Sequence, residues 1–129
     1  MSERFSVAAR LASFGHALRG IGVVIRTEHN AWIHLAATLS VVALGLGLGV
    51  GASDWAWLIA ASAAVWIAES LNTAIERLAD ASMPDVDPLV RDAKDAAAAA
   101  VLIAAVAATA IGLIVLGPPL VAALTGASP

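Results

Sequence analysis

Ala31–Val50 is a run of twenty residues without Asp, Glu, Lys or Arg. At 1.5 Å per residue a helix of that length crosses a ~30 Å hydrocarbon core. A second uncharged run begins near Trp55 and lasts to Ala68, then continues toward Asp80 with polar residues interspersed. A third occupies roughly Ala96–Gly117, where Pro118-Pro119 is expected to end it. Between the first two runs, Gly49, Gly51, Ala52, Ser53 and Asp54 form a short turn, since Gly breaks a helix and Ser or Asp can cap the next. Ser82–Pro88 holds two prolines and two aspartates in seven residues and reads as the one clear loop.

The first thirty residues follow a different rule. Val7, Leu11, Phe14, Leu18, Ile21 and Ile25 recur at spacings of four and three, so they share one helical stripe. Ser13 and His16 face the other way, with Arg19 and Arg26 on a flank. Such a helix suits the headgroup layer of a bilayer, with an ordinary amphipathic helix packed on protein as the alternative. The pattern thus predicts an all-α integral membrane protein, a single membrane domain over 1–129. An amphipathic surface helix covers 1–30, membrane-spanning helices cover 31–50, 55–80 and 89–117, and 81–88 is a loop. The polar length ahead of the first run argues against a cleaved leader, whose apolar stretch begins within a few residues of the start.

Composition agrees with a membrane setting. Apolar residues make up 60% and charged residues 13% of 129 residues, against ~45–50% and ~25% in soluble domains. Mean hydropathy is +0.88. With no Cys, thiolate chemistry and cysteine metal sites are excluded. A net charge of -3 does not suit nucleic acid. The seven basic residues (Arg4, Arg10, Arg19, Arg26, Arg77, Arg91 and Lys94) all precede the first span or lie between the uncharged stretches of the second and third. The positive-inside rule therefore predicts a cytoplasmic N-terminus and a cytoplasmic Arg77–Lys94 segment, in a multi-pass protein of the cytoplasmic (inner) membrane.

Ionisable groups inside such helices cost roughly 2.5–3.5 kcal/mol each at mid-span. Glu69, Asn72, Thr73 and Glu76 nevertheless stand at i, i+3, i+4 and i+7, one polar stripe two turns long. Glu28 lies at the entrance of the first span, and Lys94-Asp95 at the start of the third. These groups are expected to converge at one membrane face. Carboxylates hold Mg²⁺ together with substrate phosphates, an ammonium neutralises phosphate oxygens, and a further carboxylate can take a hydroxyl proton. That is enough for phosphoryl transfer, which asks mainly for positioning and charge neutralisation. On spacing alone, polar glue between helices and an ion or proton path stay open beside it. No Gly-rich phosphate loop adds to the kinase side.

Glu69-Ser70-Leu71-Asn72-Thr73-Ala74-Ile75-Glu76-Arg77-Leu78-Ala79-Asp80 resembles the signature of the prokaryotic diacylglycerol kinase family, and Ala93-Lys94-Asp95-Ala96-Ala97 its second motif. Arg26-Thr27-Glu28-His29-Asn30 followed by Ile33-His34-Leu35 resembles the undecaprenol kinase branch. The resemblance covers about Phe14 to Leu116. It implies a homotrimeric bundle with active sites at the cytoplasmic membrane surface, shared between subunits. It further implies a lipid kinase passing the γ-phosphate of ATP to a membrane alcohol, undecaprenol by preference and diacylglycerol next. Glu69 would be the general base at the lipid hydroxyl, and Glu28 and Glu76 would hold Mg²⁺ on ATP. Lys94 would contact the phosphates and Asn72 would orient its neighbours. Asp95, Asp85 and Asp87 would help seat the nucleotide, with His16 a further candidate there. His29 and His34 are expected to be interfacial or packing residues. The chain departs from the family pattern at Asp87 and Ala79 and in the all-alanine run Ala96–Ala100. The rival expectation is a non-enzymatic membrane module, an ion-conducting or scaffolding trimer. Such a module has no need of Lys94 beside Glu28.

Overall fold

The computed structural model describes residues 6–82 and 87–126, and these form four α-helices. They are α1 (Val7–Thr27), α2 (His29–Leu48), α3 (Ala52–Ser82) and α4 (Pro88–Thr125). Three of them, α2, α3 and α4, are long and apolar enough to cross a membrane.

The breaks between helices have local causes. Glu28 leaves the helical region (φ -100°, ψ 120°) and separates α1 from α2, so the first span starts two residues before the expected Ala31. At the other end of α2, Gly49 adopts φ 65°, a left-handed conformation that favours glycine, and its N–H donates back to the last turn. Gly51 N–H donates to Asp54 Oδ2 at 3.2 Å, closing the first turn of α3 in the manner of a capping box. Asp54 also puts a negative charge at the helix N-terminus, where the macrodipole favours it. Asp87 caps α4, its Oδ1 accepting from Leu89 N–H at 2.7 Å, with Pro88 at the first helical position.

The expected stop at Pro118-Pro119 does not occur: α4 continues through both prolines to Thr125 and ends at Gly126, again left-handed. Neither proline can donate to the carbonyl four residues back, so two bonds of the ladder are missing there. Gly117 has no Cβ to clash with the Pro118 ring, which removes part of the usual penalty before proline. Helices in apolar surroundings tolerate such interruptions.

The most extensive interface joins α3 and α4, and α2 lies across both. Close approach of α2 to α3 depends on Gly45, because a Cβ there would stand 2.8 Å from Cη2 of Trp55. The core is small and aliphatic (Ala31, Leu58, Ala61, Val65, Ala97, Val101), and Glu69, Asn72 and Thr73 are buried within it. α1 touches the rest through its last turns. There Val24 is buried, although it lies off the predicted stripe, while Leu11, Phe14, Leu18 and Ile21 of that stripe are exposed. Large apolar side chains are exposed along all four helices, as in a chain whose outer faces meet lipid or other subunits.

Candidate active site

α3 is 31 residues long, about 46 Å at 1.5 Å per residue. Glu69 stands seventeen residues from its start, about 26 Å along the axis. If the start of α3 meets one edge of a ~30 Å core, Glu69 lies within a turn of the other edge and Glu76 beyond it. The polar stripe of α3 therefore occupies the depth at which a lipid headgroup begins.

Glu69 is 1% exposed and turned into the bundle. Its carboxylate is within electrostatic reach of Glu28, of Glu76 and of His34. Glu76 in turn is felt at Lys94, which reaches across from α4 to pair with Asp80 at 2.8 Å. The start of α2, the second half of α3 and the start of α4 thus bring Glu28, Glu69, Glu76 and Lys94 to one end of the bundle, as the spacing predicted.

The supporting contacts are specific. Asn72 Nδ2 donates to Glu76 Oε1 at 3.1 Å, the i, i+4 pairing of the stripe. Thr73 Oγ1 donates to the backbone carbonyl of Glu69 at 2.9 Å, leaving the carboxylate uncommitted. Glu28 holds the N-cap position of α2 but makes no side-chain cap; its Oε1 accepts from Thr27 Oγ1 at 3.0 Å. Three buried atoms have no hydrogen-bond partner among the described residues: Glu69 Oε2, His34 Nε2 and Asn72 Oδ1. An unpaired buried polar group costs about 1–3 kcal/mol, and such groups concentrate where a ligand is expected.

Other predicted residues fall differently. Asp95 is exposed beside Lys94. Asp87 serves as the cap of α4, and Asp85 lies outside the described residues. His16 is exposed on α1 with its Nδ1 2.6 Å from Arg19 Nη2. It stands about 18 Å along the helix axis from Glu28, so the single chain does not join it to the cluster.

His34, expected to be an interfacial or packing residue, packs inside the bundle: its Nε2 lies 3.5 Å from Glu69 Oε2, with the two side chains 12% and 2% exposed. Sequence spacing could not pair residues 34 and 69, which meet only through helix packing. The available signal was a histidine inside an otherwise apolar run. Asp80, the partner of Lys94, belongs to the motif quoted above yet carried no assigned role.

Among the described residues no group of three or more His, Cys, Asp or Glu side chains could by itself hold a metal ion. Glu28 and Glu76 nevertheless fit Mg²⁺, which is commonly bound by one or two carboxylates together with substrate phosphates. Both are oxygen donors at the same end of the bundle.

The family model of prokaryotic diacylglycerol kinase matches residues 15–116. The chain belongs to that family. The match includes α2, α3 and most of α4, with every residue of the buried cluster. The undecaprenol kinase of Bacillus subtilis is 39% identical over 108 residues, 84% of this chain and 88% of that protein. A diacylglycerol kinase of Synechocystis sp. is 37% identical over 111 residues, 85% of this chain and 63% of that longer protein. No solved structure matches. Family and helices together make the chain a multi-pass membrane protein and a lipid kinase.

Proposed function

We propose that the protein transfers the γ-phosphate of ATP to the hydroxyl of a membrane lipid alcohol, with undecaprenol the preferred acceptor and diacylglycerol the close alternative. The observation that carries this reading is Glu69: a carboxylate buried within the bundle, its Oε2 without a hydrogen-bond partner among the described residues, and flanked by two further carboxylates. A water-soluble substrate has no easy route to that depth, whereas the hydroxyl of a lipid is delivered there by its own tail. Undecaprenol is preferred on the stretch Arg26–His34 and on the similarity to the Bacillus subtilis enzyme.

In this mechanism the lipid hydroxyl oxygen attacks the γ-phosphorus. The new O–P bond forms as the bond to the β–γ bridging oxygen breaks, the hydroxyl proton passes to Glu69, and ADP leaves. Glu28 and Glu76 would hold Mg²⁺ together with the nucleotide, and Asn72 fixes the rotamer of Glu76. Bound there, Mg²⁺ neutralises charge on the phosphate oxygens. An ammonium has three donors. With one on Asp80, two remain on Lys94 for phosphates. Asp95, Asp85 and Asp87 would help seat the nucleotide, with His16 of the surface helix α1 a further candidate and Arg19 and Arg26 turned toward anionic headgroups.

The assembly in this reading is a homotrimer in the cytoplasmic (inner) membrane with the N-terminus cytoplasmic. The placement of every Lys and Arg before the first span or between the uncharged stretches of the second and third supports that orientation. The exposed apolar faces of α2, α3 and α4 leave room for neighbouring subunits. The test is [γ-³²P]ATP with the detergent-solubilised protein and Mg²⁺ in mixed micelles containing either alcohol. Label extracted with the lipid, faster with undecaprenol, is the expected result. No lipid label with either alcohol would overturn the proposal in favour of a non-catalytic membrane module.

A further inference from the structure

Glu69 Oε2 is buried and, among the described residues, has a single basic neighbour, His34. The other charged groups that reach it, Glu28 and Glu76, are carboxylates. The imidazole is itself held in place. Its ring meets the Trp66 ring edge to face, centroids 6.5 Å apart at 71°. Trp66 Nε1 donates to Thr38 Oγ1 at 3.1 Å, and Thr38 Oγ1 donates to the His34 backbone carbonyl at 2.7 Å. This loop ties the second and third turns of α2 to α3 and sets the direction of the ring. His34 also forms part of the wall of an apolar groove of about 420 Å³ that runs between α2, α3 and α4 past Ile33, Leu58 and Leu113. It therefore stands between a hydrocarbon-lined channel and the Glu69 carboxylate.

We propose that His34 is a positioning residue for Glu69: its Nε2–H donates to Glu69 Oε2 and sets which way the carboxylate faces toward the arriving lipid hydroxyl. The 3.5 Å separation needs to close by a few tenths of an ångström, as catalytic hydrogen bonds commonly do once substrate binds. The inference rests on the kinase reading above, with Glu69 as the base.

Two variants separate hydrogen bonding from packing. His34→Phe keeps an aromatic ring against Trp66 and removes the donor. His34→Gln places an amide N–H near the position of Nε2 and gives up the ring. A hydrogen bond to a charged group is worth about 1.5–3 kcal/mol, a tenfold to hundredfold change at 1.36 kcal/mol per decade. His34→Phe is thus expected to lower kcat by roughly ten- to hundredfold, with KM for both ATP and lipid within about twofold of the parent. His34→Gln is expected to recover most of that loss. The proposal is overturned if His34→Phe keeps the parental kcat, if His34→Gln is no better than His34→Phe, or if the loss lies in the lipid KM. Parent and Glu69→Gln proteins run alongside. An inert parent, or an active Glu69→Gln protein, would overturn the kinase reading itself. An active parent with an inert Glu69→Gln places any failure on His34. Thermal unfolding in the same detergent confirms that each variant is folded.

Discussion

Replacing Glu69 by Gln changes one atom type and no volume, so it isolates the proton acceptor from packing. The backbone carbonyl that accepts from Thr73 is untouched, and the amide fills the space the carboxylate held between α2 and α3. Folding is not expected to suffer. Burying a neutral amide costs less than burying a carboxylate, and the variant removes a negative charge facing Glu28 and Glu76. A thermal midpoint equal to or above that of the parent is expected. Catalysis should respond far more. A general base contributes roughly 10²- to 10⁴-fold, or about 2.7–5.4 kcal/mol at 1.36 kcal/mol per decade. The assay is initial rate of lipid phosphorylation at saturating ATP, Mg²⁺ and acceptor, with nucleotide affinity measured separately by equilibrium binding. The expected outcome is a kcat at least a hundredfold lower with nucleotide affinity unchanged, because the proposed mechanism gives Glu69 the acceptor hydroxyl and not the nucleotide. A variant that retains kcat within tenfold would refute Glu69 as the base. Equal losses of rate and nucleotide affinity would instead place it among the nucleotide ligands.

Glu28→Gln and Glu76→Gln should each raise the Mg²⁺ concentration needed for half-maximal rate by about ten- to hundredfold, read from Mg²⁺ titrations at fixed ATP. Asn72→Ala should move the same constant in the same direction by less, since it frees the rotamer of Glu76 without removing its charge. Gly45→Leu should lower stability by about 1–3 kcal/mol through overpacking against Trp55. Gly47→Ala, which meets nothing within 4 Å, should leave the thermal midpoint in detergent unchanged.

The helices were legible because hydrocarbon thickness and uncharged runs impose the same length. Glu28, Glu69, Glu76 and Lys94 were legible because charge in such helices needs a reason. Two features were not. Pro118-Pro119 resembles a stop signal in any soluble protein, yet α4 passes through it. With no water competing for the backbone, leaving the helix would expose more polar groups than staying in it. The contact of His34 with Glu69 was hidden for a different reason. The two residues are thirty-five positions apart, and the face of α2 turned to α3 depends on Gly45 letting Trp55 approach. Small residues decide such packing, and their effect on a distant register does not show in a one-dimensional pattern.

The same geometry explains how so short a chain can support phosphoryl transfer without a phosphate-binding loop. A soluble kinase must build walls to exclude water and orient two mobile substrates. Here the bilayer presents the acceptor hydroxyl at a fixed depth, and the helix ends need only bring charge to that depth. α3 does so by running past the hydrocarbon edge, so that Glu69 and Glu76, seven residues and about 10 Å apart along the axis, lie at different levels of one stripe. The inner carboxylate is buried among apolar side chains, and the outer one is half-exposed within reach of Lys94. In the proposed mechanism the separation sorts the roles: an acid–base group where only a lipid arrives, and metal and phosphate ligands where nucleotide and ions have access. Shortening α3 by one turn between residues 69 and 76 would halve that separation to about 5 Å and begin to merge the two environments. Helix length, as much as residue identity, keeps the two functions apart.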